Sequence, residues 1–289
     1  MSLTKNQIVE IITTGLAILF VVCLLVRLNI QQLPERNIVL SPHYDDAVLS
    51  LGGFIAHNNN KTIVATFFTQ NASTTGETEW DRLSGLASSP ESSTIRSREN
   101  SQSLMTLWVK GLDYAYIDFQ YRQADQATSQ LVTIHNSLVS SIEALIQENR
   151  LFKLNIFGPA YFGDDITHPD HKLLHQAFME VAKLYVNDPN ITFYIYEDFP
   201  YVKLYNQKNK NDLRSFIENT DKVVLVPTPL NISVSDVLLK EQALLDYVSQ
   251  IRAFNALHKN IADESKQFTL ARCATSACEM TYKIDFKIK

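Results

Sequence analysis

The run Asn37-Ile-Val-Leu40 passes without a spacer into Ser41-Pro-His-Tyr-Asp-Asp46 and from there into Ala47-Val-Leu-Ser-Leu-Gly-Gly53. A β-branched run, a Pro-containing turn and a helix-like segment with an acidic first turn read as strand, loop and helix start. That succession is the unit of an open α/β sheet, in which functional groups sit outside the carboxyl ends of the strands. His43, Asp45 and Asp46 place one imidazole and two carboxylates at such an end. A loop there can turn two of them toward a metal and leave the third free, the composition of an open zinc site with its own base.

A complementary stretch lies far downstream. Leu154-Asn-Ile-Phe-Gly158 reads as a second buried strand, and Gly163-Asp-Asp-Ile-Thr-His-Pro-Asp-His171 follows it before the helical segment from Lys172 to Tyr185. A catalytic zinc wants three protein ligands and one position for water, so His43, Asp46 and either His168 or His171 complete a site. The histidine left over serves beside it. Spacing alone does not separate Asp45 from Asp46, or His168 from His171.

The rest of the chain reads as alternating elements: a helix to Asn58, a strand Thr62–Phe68, a polar loop Thr69–Ser93 at the substrate rim, and a helix Arg96–Val109. A strand Asp113–Asp118 ends in an acid, which makes Asp118 a candidate for hydrogen bonding at the site or to a sugar. A helix Ser129–Asn149 covers the sheet. Strands Ile191–Tyr196 and Val223–Thr228 follow, with a lid or rim between them. A helix Ser235–Gln250 is capped by Ser233 or Ser235, and short strands Phe268–Leu270 and Met280–Phe286 close the chain. Arg96 either contacts substrate or pairs with Glu99 one turn on. His175, on the helix of the second loop, is expected outside the ligand set. Gly52-Gly53, without a Gly-x-Gly-x-x-Gly pattern, reads as a place of close backbone approach and not as a phosphate site.

Four ordered motifs give the chain a resemblance to the PIG-L/LmbE-like family of N-acetylglucosamine-type deacetylases. Pro42-His43-Tyr44-Asp45-Asp46 with Gly52-Gly53 is similar to the first family motif, and His168-Pro169-Asp170-His171 to the second. Arg96-Ser-Arg-Glu99 and Lys240-Glu-Gln-Ala-Leu-Leu-Asp-Tyr-Val-Ser-Gln250 match two more, so that the likeness runs from Asn37 to Gln250. It implies a Rossmann-like, mostly parallel sheet flanked by helices. It also implies zinc, or another divalent metal in its place, held by His43, Asp46 and His171, with Asp45 as general base, His168, if protonated, stabilising the oxyanion, and Arg96 on the substrate. The reaction implied is removal of an N-acetyl group from an N-acetylglucosamine-type sugar in a glycolipid, polysaccharide or other glycoconjugate. One departure is Ile166, where some members carry a tyrosine. A non-catalytic, membrane-tethered glycan-binding protein of the same fold is the alternative, and a two-metal phosphoesterase would need more carboxylate and His ligands than are visible.

Ile11 to Val26 is almost wholly apolar, and with its flanks approaches the roughly 17 to 25 residues of a spanning helix. No small-x-small cleavage site follows it. The expected organisation is a tail 1–7, a single transmembrane signal anchor 8–28, a linker 29–36 and one catalytic domain 37–289. Lys5 on one side and Arg27 and Arg36 on the other leave the orientation balanced. A formal charge of −5 gives no reason to expect nucleic acid. Of three cysteines, Cys273 and Cys278 lie close enough in sequence to pair or to remain thiols.

Overall fold

The computed structural model describes residues 12–22, 33–70, 77–87, 89–122, 128–208, 213–258, 260–273 and 276–286. Seven strands form one sheet: β1 (Glu35–Ser41), β2 (Thr62–Thr66), β3 (Lys110–Asp113), β4 (Lys153–Pro159), β5 (Ile191–Tyr196), β6 (Val224–Asn231) and β7 (Cys278–Asp285), in the order β3-β2-β1-β4-β5-β7-β6. Pairing is parallel from β3 across to β5, and β7 runs antiparallel to both β5 and β6. The sheet is therefore mixed, with β7 alone running against the rest. Ile38, Val39 and Leu40 of β1 are fully buried, as a parallel strand covered on both faces must be.

The order of β1 and β4 fixes the site. From β1 the chain moves outward through β2 and β3, and on returning it lays β4 against the other edge of β1. Right-handed crossovers put the helices of the two directions on opposite faces. The result is a crevice at the carboxyl ends of β1 and β4, the switch point where open α/β sheets bind ligands. α1 (Asp46–His57) leaves β1 there, and α5 (Pro169–Leu184) follows β4. Pro169 occupies the first turn of α5 and His168 caps it, which explains why the helix begins ahead of Lys172.

Between them run α2 (Glu79–Ser84), α3 (Ser89–Thr106) and α4 (Thr128–Glu148), and after β5 come α6 (Tyr201–Lys208), α7 (Leu213–Asp221), α8 (Val234–Leu245), α9 (Val248–His258) and α10 (Ile261–Ala271). Several sequence expectations change here. The loop expected over Thr69–Ser93 contains α2, held by a capping box in which Thr78 accepts from Asp81 N and Asp81 accepts from Thr78 N, and α3 starts seven residues before Arg96. The strand expected at Asp113–Asp118 lies earlier, at β3, leaving only isolated bridges at Ala115 and Ile117. The helix expected over Ser235–Gln250 is two helices, because Tyr247 turns inward to donate its hydroxyl to Tyr44 O at 2.7 Å. Phe268–Leu270 is the last turn of α10 and not a strand, its helix capped by Asn260. Cys273 and Cys278 form a disulfide.

The glycine pair does permit close approach. A Cβ on Gly52 would stand 2.6 Å from Lys240 Cγ, and one on Gly53 would stand 2.3 Å from Ile232 Cδ1. Helix α1 breaks at Leu51, and the N–H groups of Gly53 and Phe54 donate to the Glu279 carboxylate at 3.0 and 2.8 Å. Lys240 neutralises that carboxylate from α8 at 2.9 Å.

At the amino terminus, residues 12–22 form a helix whose apolar side chains are exposed. Among the described residues no helix is long and apolar enough to cross a membrane. Residues 8–11 and 23–28 of the expected anchor lie outside the described residues, and so do residues 29–32 of its linker.

Candidate functional site

The β1 loop is shaped by its own polar groups. Ser41 Oγ accepts from Ala47 N at 3.0 Å, and His43 N donates to Asp46 Oδ2 at 2.7 Å. This turns the Asp46 carboxylate back beneath the His43 ring. From the β4 loop, one helical turn beyond the cap, His171 reaches the same point. His43 Nδ1 lies 3.2 Å from Asp46 Oδ2, His171 Nε2 lies 3.1 Å from the same oxygen, and the two ring nitrogens are 3.2 Å apart. Donor atoms each ~2.0–2.1 Å from a tetrahedral zinc are roughly 3.3–3.4 Å apart. Two imidazole nitrogens and a carboxylate oxygen thus have the spacing that zinc requires.

Both imidazoles are oriented from behind. His171 Nδ1 faces Asp198 Oδ2, and His43 Nε2 faces Asp170 Oδ2 at 3.1 Å. Asp170 is fixed in turn by Phe119 N at 2.9 Å and by an ion pair with Arg122. Each ring is therefore held by one nitrogen from behind and turns the other into the cluster, where loss of its proton would free a lone pair for a metal, the arrangement common to metal-ligating histidines. Overlapping groups of His43, Asp46, Asp118, His168, Asp170, His171 and Asp198 have donor atoms close enough for a cation.

The charges follow from that crowding. Burial raises the pKa of Asp45 and the neighbouring Asp46 raises it further, to about 6. Burial works the same way on Asp46, but His171 and His43 outweigh it and hold Asp46 well below the carboxylate range. For His171, burial is overcome by Asp46 and Asp198 and the pKa rises to about 10. His43 is raised well above its usual value against the effect of burial, first by Asp118. Asp118 is held down to about 2 despite burial by the charges of His43 and Arg96. His168 goes the other way, to about 4, through burial and the charge on His43.

Burial and the charge on His43 thus favour the neutral form of His168. Its Nδ1 accepts from Asp170 N at 3.3 Å, which assigns the proton to Nε2 and leaves an N–H free to donate.

All of this opens into a cleft of about 230 Å³ whose polar end holds His43, Asp45, Asp46, Arg96, Asp118, Gln120 and His168. Trp80, Tyr201, Leu204 and Phe254 form its apolar wall. Asp45 makes no side-chain cap to α1 and faces the cleft. Arg96 binds Asp118 Oδ2 at 3.2 Å, and its buried Nε has no partner among the described residues. Glu99 does not pair with it, accepting instead from Ser249 N and Oγ at 2.8 and 2.6 Å. Tyr201, its ring 4.8 Å from that of His171, is among the described residues the tyrosine that lines the cleft; Tyr44 and Tyr161 do not. His175 bonds Pro159 O and Asp221 and stays outside the cluster.

The geometry thus gathers every candidate named from the sequence, and it adds Asp170 and Asp198. Asp170 lies inside the second motif. Asp198 follows the end of β5, so the strand-end rule that singled out Asp118 reaches it too.

Against known families, the sequence pattern of PIG-L, described as GlcNAc-PI de-N-acetylase, matches residues 38–182, half of the chain. The chain belongs to the PIG-L family. The members of this family are metal-dependent N-acyl amino-sugar deacetylases, and the His/Asp donor set is of the kind that binds zinc. No curated protein matches the sequence. Solved structures share the PIG-L fold at low identity. The zinc-inhibited form of teicoplanin deacetylase Orf2 is 20% identical over 88% of this chain and 99% of its own, with a TM-score of 0.71. N,N'-diacetylchitobiose deacetylase from Pyrococcus horikoshii is 16% identical over 88% and 85%, at 0.51. The 4-carboxy-2-hydroxymuconate hydratase of Pseudomonas putida is 14% identical over 89% and 98%, at 0.52. A hydratase on the same scaffold means that chemistry must be argued from the site.

Proposed function

We propose that this protein is a zinc-dependent hydrolase that removes the N-acetyl group from an N-acetylglucosamine-type sugar of a glycan, glycolipid or glycoconjugate. The observation that carries this is the triangle of His43 Nδ1, Asp46 Oδ2 and His171 Nε2, with sides of 3.2, 3.1 and 3.2 Å, at the floor of a cleft that also holds a free carboxylate. His43, Asp46 and His171 hold the cation. When bound, zinc supplies Lewis-acid activation of a water and of the scissile carbonyl.

The chain's own groups do the rest. Asp45, raised to about 6 and facing the cleft, takes the proton of the attacking water and returns it to the leaving amine. His168 donates its Nε2 proton in a hydrogen bond to the oxygen on which charge develops, as a neutral donor. Arg96 and Asp118, linked to one another, present a donor and an acceptor to the sugar hydroxyls. The amine and acetate leave as separate products. Deacetylases among the fold relatives, acting on teicoplanin and on N,N'-diacetylchitobiose by name, support an amide-bearing amino sugar as substrate.

The apolar run Ile11–Val26 supports a single amino-terminal membrane anchor, with the catalytic domain over 37–289. The Cys273–Cys278 disulfide favours the oxidising side of that membrane for the domain.

The decisive experiment incubates the purified protein with N-acetylglucosamine-containing lipids and polysaccharides and follows loss of one acetyl group by mass spectrometry. Acetate release that needs zinc and vanishes in Asp45→Asn is the expected result. Retained sugar affinity with no acetate release by the zinc-loaded wild type would instead support a glycan-binding protein.

A further inference from the structure

Pro34 lies one residue inside the described stretch that enters the domain, and its carbonyl accepts from Lys153 N at 2.9 Å. The chain therefore joins the domain at the rim where the parallel strands start, whereas the cleft opens where they end. β1 is seven residues long, which at ~3.3 Å per residue separates the two rims by about 23 Å.

The loops of the strand-start rim are bound together. Arg36 Nη1 donates to Asn149 Oδ1 at 2.7 Å, and Arg150 pairs with Asp188. From this rim project Trp108 and Leu151, ahead of β3 and β4, and Leu184, at the end of α5, exposed by 81%, 78% and 61%. A single exposed apolar side chain needs no explanation. Three on one end of the sheet do, and they are interleaved with exposed Lys110, Lys153 and Lys183, none with an ion-pair partner among the described residues. Of the acids nearby, Glu35 is matched by Lys61 at 3.3 Å and Asp188 by Arg150, leaving Glu148 and, beside the start of β6, Asp285 exposed. In a chain of net charge −5 this end is locally positive. An indole and aliphatic tips among lysines suit the headgroup region of an anionic bilayer, where tryptophan lodges and each lysine is attracted to the surface.

We propose that this rim rests on an anionic bilayer, so that the cleft faces away from the membrane toward glycan that stands off it. The proposal rests on the reading of the amino-terminal run as an anchor. Residues 27–34, fully extended, reach at most about 28 Å, so an inserted anchor holds this rim close to the lipid. The substrate is then an extended or soluble N-acetylated glycan rather than the first sugar on a lipid in the same leaflet.

The test uses the full chain in vesicles of phosphatidylglycerol and phosphatidylcholine carrying a nitroxide at headgroup depth. The chain has two tryptophans, and the second, Trp80, lines the cleft. The expected result is quenching of a component of the emission that is absent in Trp108→Phe and lost in the Lys110→Glu, Lys153→Glu, Lys183→Glu triple variant, while vesicle co-sedimentation and acetate release from a soluble oligosaccharide persist. Trp108 emission that is unquenched, or quenched equally in pure phosphatidylcholine or in the triple variant, overturns the proposal. Failure to co-sediment at all removes the anchor beneath it and leaves the deacetylase reading standing on the acetate measurement.

Discussion

Asp45 and Asp46 are neighbours in the chain with opposite fates. The turn that folds Asp46 back under His43 leaves Asp45 facing open space, where burial and the charge of Asp46 raise its pKa, while His171 and His43 hold Asp46 low. Asp45→Asn is therefore expected to lower kcat by about 10²–10⁴, the usual worth of a general base, with zinc affinity nearly unchanged by titration calorimetry. Loss of zinc from that variant would move Asp45 into the ligand set. Asp198 is expected to behave in the reverse sense. It touches the far nitrogen of His171, so Asp198→Asn should weaken zinc binding by about 10–100-fold in a competition titration with a chromogenic chelator, and added zinc should restore most of kcat. The metal-free protein also carries protons that zinc must expel. His171 is raised to about 10 and His43 well above its usual value, so both hold a proton at pH 7 that a ligand cannot keep. Zinc affinity should then rise with pH from 6 to 8, and calorimetry in buffers of differing ionisation enthalpy should show net proton release. An affinity flat across that range would contradict the charge states assigned to the cluster.

The elements that carry these residues were legible to different degrees, for physical reasons. Both site loops could be read because each follows a short apolar run that is buried on both faces and each opens a helix with a recognisable start: an acidic turn at Asp46 and a proline at position 169. The stretch around Thr78 misled because its Ser, Thr and Gly content looks like loop, while a four-residue capping box outweighs composition locally. Tyr247 misled because a helical pattern continues through it, and only the tertiary bond to Tyr44 O ends α8. Asp198 needed the fold, since nothing in its neighbours says that β5 ends against His171. The break in α1 was likewise hidden, being held by a carboxylate 226 positions away in sequence from Gly53. That carboxylate and Lys240 are both buried. Lys240→Ala is expected to cost about 3–5 kcal/mol, because it leaves Glu279 charged and unpaired, and Gly53→Ala about 1–3 kcal/mol through overpacking against Ile232. Urea unfolding followed by circular dichroism checks both, and a Lys240→Ala variant as stable as the wild type would mean that the pair does not hold the helix break.

At the scale of the whole molecule, the metal cluster lies where the two directions of the fold meet, so its state should be felt by the entire domain. The first loop is continuous with β1 at the centre of the sheet, and the second joins β4 to α5. Asp198 draws in the end of β5, and Asp170 with Arg122 draws in the segment beyond Asp118. Without a cation, this junction concentrates Asp45, Asp46, Asp118, Asp170 and Asp198 against two cationic histidines in a buried space. A cation bound only by the folded chain stabilises it by RT ln(1 + [L]/Kd), about 4 kcal/mol when free zinc is 1,000 times Kd. At roughly 2–4 °C per kcal/mol for a domain of this general size, chelation should lower the melting midpoint by on the order of 10 °C. Differential scanning calorimetry with and without chelator measures this. The His43→Ala, His171→Ala double variant should melt at one temperature in both conditions, because the ion has lost two of its three holders. A wild-type midpoint indifferent to chelator would mean that the cation, wherever it binds, is not part of the junction between β1 and β4.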